Sequence, residues 1–344
     1  MERRTILKSL PALSFLNANN TTPAEAMQKR IVKPKRLNLG DTLGLIAPAG
    51  PVSDETVEKA VRNLTDLGFK VKLGKNLRAQ NGYLAGSDAQ RLEDFHWSFS
   101  DREVNAVWCI RGGYGATRVL PNVDFSIIKK NPKIFIGYSD ITAYHTAIFQ
   151  KTGLVTFHGP VGASDYTNYT KPYVWDILTK PTPQYVLKNA DENLKNPSNL
   201  FKLEVIKAGM VQGKLIGGNL TLLSAMCGTP FALKSVKGKI LFLEDIEERP
   251  YRVDRMLTQL MQSVDLSQAA GIALGIFEGC NPKEGEQSLS LIECIKDRLG
   301  QLNMPIIYGL SIGHIKNQYT LPIGIEAVLN TEGGTITLME SAVL

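Results

Sequence analysis

A serine at the exit of an apolar strand is the first residue here whose type and place could do chemistry. Ser139 lies in Gly137-Tyr138-Ser139-Asp140, where the apolar run 134–136 gives way to a helical pattern over residues 140–151. A hydroxyl at such a turn leaves the sheet beside the first N–H groups of the helix. Those groups and the helix dipole can stabilise an oxyanion. The turn has the mechanics of a nucleophile elbow but departs from G-x-S-x-G, because Ile141 fills the last position. Ser139 or Asp140 can equally be a plain helix cap. A second candidate is Arg111-Gly112-Gly113-Tyr114-Gly115, directly after an apolar strand at 106–110. Its glycines permit positive φ and close approach of a ligand. The turn could lend an N–H to an oxyanion hole, hold a phosphate, or simply be tight. Its spacing matches neither the dinucleotide fingerprint nor the P-loop.

A serine nucleophile needs a base, and the chain has four histidines. His96 stands beside Trp97 in a helical pattern and reads as structural. His145 is mid-helix, six residues after Ser139, and turned away from the elbow. His158, in His158-Gly159-Pro160, follows a strand at the edge of the sheet suited to a site. His314 follows an apolar strand in the second half, within Ser311-Ile312-Gly313-His314. On residue logic these two are rivals; His314 would put the reaction in a cleft between domains. The base needs an orienting acid. The strand 239–243 ends in Glu244-Asp245, with Glu247 and Glu248 in what reads as a solvated loop. A carboxylate at a strand end can hold an imidazole in one tautomer and stabilise its protonated form. Glu244, the first polar residue after that strand, is the candidate.

These residues require elements to position them. Apolar runs at 42–47, 69–73, 106–110 and 134–137 alternate with helical patterns at 53–67, 88–99 and 140–151. That alternation implies an α/β fold with a parallel sheet, whose ligands bind beyond the carboxyl ends of the strands. Residues 27–165 form the expected N-terminal α/β domain carrying the nucleophile. Residues 166–208, rich in Asn, Pro, Lys and Tyr, read as a linker with one short helix. Residues 209–344 form a second, mixed α/β domain, with strands at 239–243, 271–276, 305–308 and 335–339. Residues 1–26 read as an export signal of twin-arginine type. Arg3-Arg4 precedes a short apolar run, and Ala24-Glu25-Ala26 fits a cleavage site. That run is far too short to span a bilayer, so no integral membrane association is expected. The competing reading is a plain N-terminal extension, leaving the protein in the cytoplasm.

Composition narrows the function class. With 344 residues, 43% hydrophobic and 21% charged, the chain is neither disordered nor a small disulfide scaffold. The net charge of +6 is not gathered into a basic block, so nucleic acid is not an expected partner. Cys109, Cys227, Cys280 and Cys294 form no C-x-x-C pair and read as small hydrophobes rather than metal ligands.

Taken together, the segments resemble the muramoyl-tetrapeptide (LD-) carboxypeptidases, the S66 family of serine peptidases, which are related to microcin C immunity proteins. The landmarks run in the family's order from Asp41 to Ala327. They are Gly40-Asp41 with Ala47-Pro48, the Arg111–Gly115 turn, Gly137-Tyr138-Ser139-Asp140 and His158-Gly159-Pro160. Gly217-Gly218-Asn219-Leu220, Leu243-Glu244-Asp245, the segment 251–257 and Gly313-His314 complete the set. The resemblance implies a catalytic triad of Ser139, Glu244 and His314, which favours His314 over His158. It also implies an oxyanion hole from the backbone N–H groups of Gly113 and Asp140, and no metal or organic cofactor. The implied fold is a flavodoxin-like parallel-sheet domain plus a smaller C-terminal domain with a β-barrel-like mixed sheet, often paired as a homodimer. The expected substrate is a murein tetrapeptide, cleaved at its L,D-peptide bond with release of D-alanine. Arg111 and Asn219 are the expected substrate-binding residues. Two other readings stand beside this one. An immunity-type hydrolase would cleave a peptidyl- or aminoacyl-nucleotide and need an aromatic stacking feature near the cleft. A non-catalytic periplasmic binding protein would explain the export signal and two α/β halves, but not the three residues at strand ends.

Overall fold

The computed structural model describes residues 30–344, and the segment read as an export signal lies outside them. The first five strands are β1 (Thr42–Ile46), β2 (Lys70–Leu73), β3 (Ala106–Cys109), β4 (Ile134–Gly137) and β5 (Thr156–His158). They pair in parallel in the order β2-β1-β3-β4-β5. This is the flavodoxin-like order. The expected helices lie between them. Ser53 caps the helix Asp54–Asp66 by accepting from Thr56 N–H, and Ser87 with Gln90 forms a capping box on Asp88–Ser100. Apart from Thr42 at the start of β1, the strands β1, β3 and β4 are apolar and buried because helices cover both faces.

The remaining strands are β6 (Tyr185–Lys188), β7 (Glu204–Lys207), β8 (Met210–Asn219), β9 (Lys239–Glu244), β10 (Gly271–Gly275), β11 (Ile306–Leu310), β12 (Leu321–Ile323), β13 (Glu326–Asn330) and β14 (Thr335–Leu338). Eight form a second sheet, in the order β6-β14-β13-β8-β9-β10-β11-β7. Its centre, β8 to β11, is parallel, and the flanking pairs are antiparallel. The sheet is mixed as expected, but it is open, with β6 and β7 as its edges. It does not close into a barrel.

Two features depart from the linear picture. Residues 166–208, read as a linker, hold the helix Thr170–Thr179 and both edge strands of the second sheet. β12, from the last quarter of the chain, joins the first sheet antiparallel to β5, with Leu321 opposite His158. Residues 31–344 accordingly cluster as one compact unit. Ile46, Phe135 and Tyr144 of the first half share a buried cluster with Leu241, Leu257 and Tyr308 of the second. No helix among the described residues is long and apolar enough to cross a membrane.

Candidate active site

The carboxyl ends of β1, β3 and β4 bring three loops together. After β4 the backbone turns sharply: Ser139 has φ of 66°, in the left-handed region that serine seldom occupies. Strain of this kind is characteristic of functional turns. A 3-10 turn, Ser139–Ile141, leads into the helix Thr142–Thr152, and no side chain caps either. The cap reading of Ser139 and Asp140 therefore does not describe the turn. Instead Asp140, fully buried, accepts a 2.8 Å hydrogen bond from the backbone N–H of Ala116. Burial pushes its carboxyl up to about 6, against the opposing effect of that N–H. The bond ties the serine turn to the glycine-rich turn after β3. Gly112 packs so closely there that a β-carbon on it would stand 2.7 Å from Ser139 Cβ and 2.9 Å from Ser139 Oγ. Any side chain at 112 would crowd the hydroxyl. The adjacent Gly113, φ 114°, is exposed and lies against Gly50 of the β1 loop.

The second sheet supplies the acid and the imidazole. Glu244 is the last residue of β9 and fully buried. His314 follows β11, and its Nδ1 lies 2.7 Å from Glu244 Oε2. The approach depends on Gly313, φ 118°, where a β-carbon would meet Glu244 Oε2 at 3.1 Å and the Ile276 carbonyl at 2.9 Å. Burial pushes the Glu244 carboxyl up, but the His314 ring beside it more than reverses this and holds it below its usual range. Burial likewise pushes His314 down, and the Glu244 carboxylate overcomes it, leaving the imidazole a stronger base than usual. The ring of Tyr138, next to Ser139 in sequence, packs edge-on against His314 with centroids 4.7 Å apart. The serine turn and the imidazole loop are thus in contact. A cavity of about 270 Å³ opens beside them, lined by Tyr138, Ser164, His314, Lys316 and Gln318 among others.

The other candidates are placed differently. His158 is buried, with its ring 5.3 Å from Phe242, and neither ring nitrogen finds a hydrogen-bond partner. Burial pushes it down to about 4. His145 is held by the Gly137 carbonyl at 2.8 Å, and His96 accepts from Asp124 N–H. Of the two rival histidines, His314 is the one with a carboxylate on its ring. Asn219 is committed within the fold. Its Oδ1 caps the helix Leu220–Ala225 through Leu222 N–H, and its Nδ2 donates to Asp245 at 3.1 Å. The Asn219 backbone N–H donates to Thr142 Oγ1 at 3.0 Å, joining β8 to the helix behind the serine. Arg111 is exposed, with one guanidinium nitrogen 3.1 Å from the Pro51 carbonyl. Glu247 is exposed, while Glu248 pairs with Arg252. Sequence reasoning passed over Asp245, Thr142 and the particular role of Gly112. Their partners lie 24 or more residues away, so no local spacing could have marked them.

Residues 43–159 match the model of the LD-carboxypeptidase N-terminal domain, and residues 212–329 that of the LD-carboxypeptidase C-terminal domain. The chain belongs to the LD-carboxypeptidase family. Among its members, the "Probable murein peptide carboxypeptidase" of Bacillus subtilis (strain 168) is 45% identical over 307 residues, covering 89% of this chain and 94% of that protein. The solved muramoyltetrapeptide carboxypeptidase from Oxalobacter formigenes is 32% identical with a TM-score of 0.73, covering 86% of this chain and 97% of that one. The microcin C7 self-immunity protein MccF superposes with a TM-score of 0.81 at 25% identity, covering 91% of this chain and 100% of that one. As an LD-carboxypeptidase, this protein is a hydrolase.

Proposed function

We propose that this LD-carboxypeptidase uses Ser139, His314 and Glu244 as one catalytic unit to release the terminal D-alanine of murein tetrapeptides. The observation that carries the reading is the 2.7 Å Glu244–His314 pair, brought by the second sheet against a strained serine turn of the first. The relatives named for murein peptides supply the substrate. Ser139 Oγ attacks the carbonyl of the L,D-bond while His314 takes its proton, and Glu244 stabilises the imidazolium. The tetrahedral oxyanion is held by the N–H groups of Asp140 and Gly113, each worth roughly 3–4 kcal/mol in comparable sites. His314 returns the proton to the leaving amine, and D-alanine departs. Water, deprotonated by the same imidazole, then releases the shortened peptide from Ser139. Arg111, at the exposed edge of the glycine-rich turn, takes the free carboxylate by a charge-assisted contact. Asn219 serves by fixing the end of β8 through Asp245 and Thr142.

The deciding experiment incubates the protein with a murein tetrapeptide and follows D-alanine by mass spectrometry. Release from tetrapeptide, with pentapeptide and amidated tetrapeptide poor substrates, is the expected result. Hydrolysis of an aminoacyl-sulfamoyl nucleotide with tetrapeptide untouched would replace the reading with the immunity-type one. The Arg3-Arg4 pair and Ala24-Glu25-Ala26 support export, with the mature chain starting near Met27. Native protein that retains Met1 in a cytoplasmic fraction would reverse that assignment.

A further inference from the structure

Two large aromatic side chains stand in solvent at the rim of the site. Tyr83 is 68% exposed and Tyr114 49%, and their rings meet edge to face with centroids 5.6 Å apart at 61°. They come from different loops. Tyr114 is thrown outward between Gly113 and Gly115, both at positive φ, in the turn that packs on Ser139. Tyr83 follows β2 in a loop tied to the end of β1 by the bond from Ala85 N–H to the Ala49 carbonyl. Leu84 packs against Gly115, where a β-carbon would lie 2.8 Å from Leu84 Cδ2. Buried backbone contacts therefore hold the two exposed rings together. Tyrosines, with an apolar body and a polar tip, are enriched at binding interfaces.

We propose that Tyr83 and Tyr114 form a subsite for the sugar ring at the amino end of a muramoyl peptide, an inference that rests on the murein reading above. Reach supports it. Three stem residues separate the scissile carbonyl from the sugar, about 10 Å when extended at ~3.5 Å per residue. Tyr114 stands two residues from Gly112, which packs against Ser139, so its Cα lies within about 7 Å of Gly112, on the length scale of the stem peptide. Chemistry supports it as well. The stem peptide offers methyl groups, carboxylates and an amine, whereas the pyranose offers a broad C–H face that fits an aromatic face. The rings meet at 61° rather than in parallel, so they do not form the two faces between which a flat nucleobase would stack.

The test compares kcat/KM for N-acetylmuramoyl-tetrapeptide and free tetrapeptide in the parent, Tyr83→Ala, Tyr83→Phe and the Tyr83→Ala/Tyr114→Ala double variant. The parent is expected to favour the glycopeptide roughly tenfold, within the range of aromatic contact energies. The double variant should bring the ratio close to one by raising KM for the glycopeptide, and Tyr83→Phe should keep the parent ratio. A parent ratio near one, or a ratio unmoved in the double variant, overturns the subsite. Binding of N-acetylmuramoyl-L-alanine, which lacks the scissile bond, is followed by saturation-transfer NMR on the full protein. Contact that vanishes in the double variant upholds the subsite even if no D-alanine is ever released. D-alanine release without such contact upholds the enzyme and removes the subsite. Tighter binding of adenosine monophosphate to the same rings would also remove it.

Discussion

Replacing Gly313 with alanine tests whether the contact between Glu244 and His314 limits the reaction. At φ 118° the new residue sits where L side chains are strained, which costs roughly 1–3 kcal/mol. Its methyl would also stand 2.9 Å from the Ile276 carbonyl and 3.1 Å from Glu244 Oε2. The carbonyl belongs to the backbone beyond β10 and Glu244 is fully buried, so neither yields easily. The 313–314 backbone must move instead, by about 0.3–0.5 Å to restore ordinary contact, taking the imidazole with it. Misplacement by 1 Å can cost a hundredfold in rate, so a shift of this size is expected to lower kcat roughly 4- to 10-fold, with KM changing less. The melting temperature should fall by roughly 1.5–5 °C. Gly238→Ala is the control. Gly238 also has positive φ, at 64°, but nothing lies within 4 Å of its would-be β-carbon. With only the left-handed backbone cost and no close contact, it should lose roughly 1–2 kcal/mol at most, at unchanged kcat. The assay is D-alanine release from tetrapeptide alongside thermal unfolding. If Gly313→Ala loses stability while its kcat stays within twofold of the parent, the argument that this contact sets the rate is wrong.

Three further outcomes follow from the same geometry. Glu244 raises the basicity of His314, so the acid limb of kcat should lie above an ordinary imidazole's range, activity appearing as the ring loses its proton with rising pH. Glu244→Gln leaves burial opposed only by the Asp245 and Glu278 carboxylates, so the limb should move to lower pH while kcat falls about 10³–10⁴-fold; a limb that stays in place refutes the coupling. Ser139→Ala and His314→Ala should each reduce kcat by several orders of magnitude, and the double variant should be little worse than either, whereas additive losses would mean that the two act separately. Arg111→Ala should raise KM for tetrapeptide more than it lowers kcat, and the steady-state constants for free and amidated substrates check this.

The parallel strands β1 to β4, their helices and the motifs at their ends were legible because each is local: an apolar run, a cap, a glycine turn. The cap competition at Ser139 was not decidable from sequence, since Asp140's bond goes to Ala116, 24 residues earlier. The edge strands β6 and β7 were hidden for a related reason. Each is four residues long and ends in a lysine, and each is defined only by partners more than 90 residues away. Residue logic could not rank His314 over His158, because the difference is a carboxylate 70 residues from His314 in sequence. β12 was invisible for the same cause, three residues whose partner strand lies in the other half of the chain.

That three-residue return has a temporal consequence. The free edge of β5 is covered only when Leu321–Ile323 arrive, roughly 160 residues of synthesis after His158. At about 5–20 residues per second, the nascent sheet waits on the order of ten seconds or longer with an unpaired edge. Such an edge invites pairing with neighbouring chains. A fragment ending before residue 321 would keep every strand of the parallel core, yet carry that adhesive border permanently. The β5 edge of the nucleophile-bearing sheet is thus covered by almost the last part of the chain to be made.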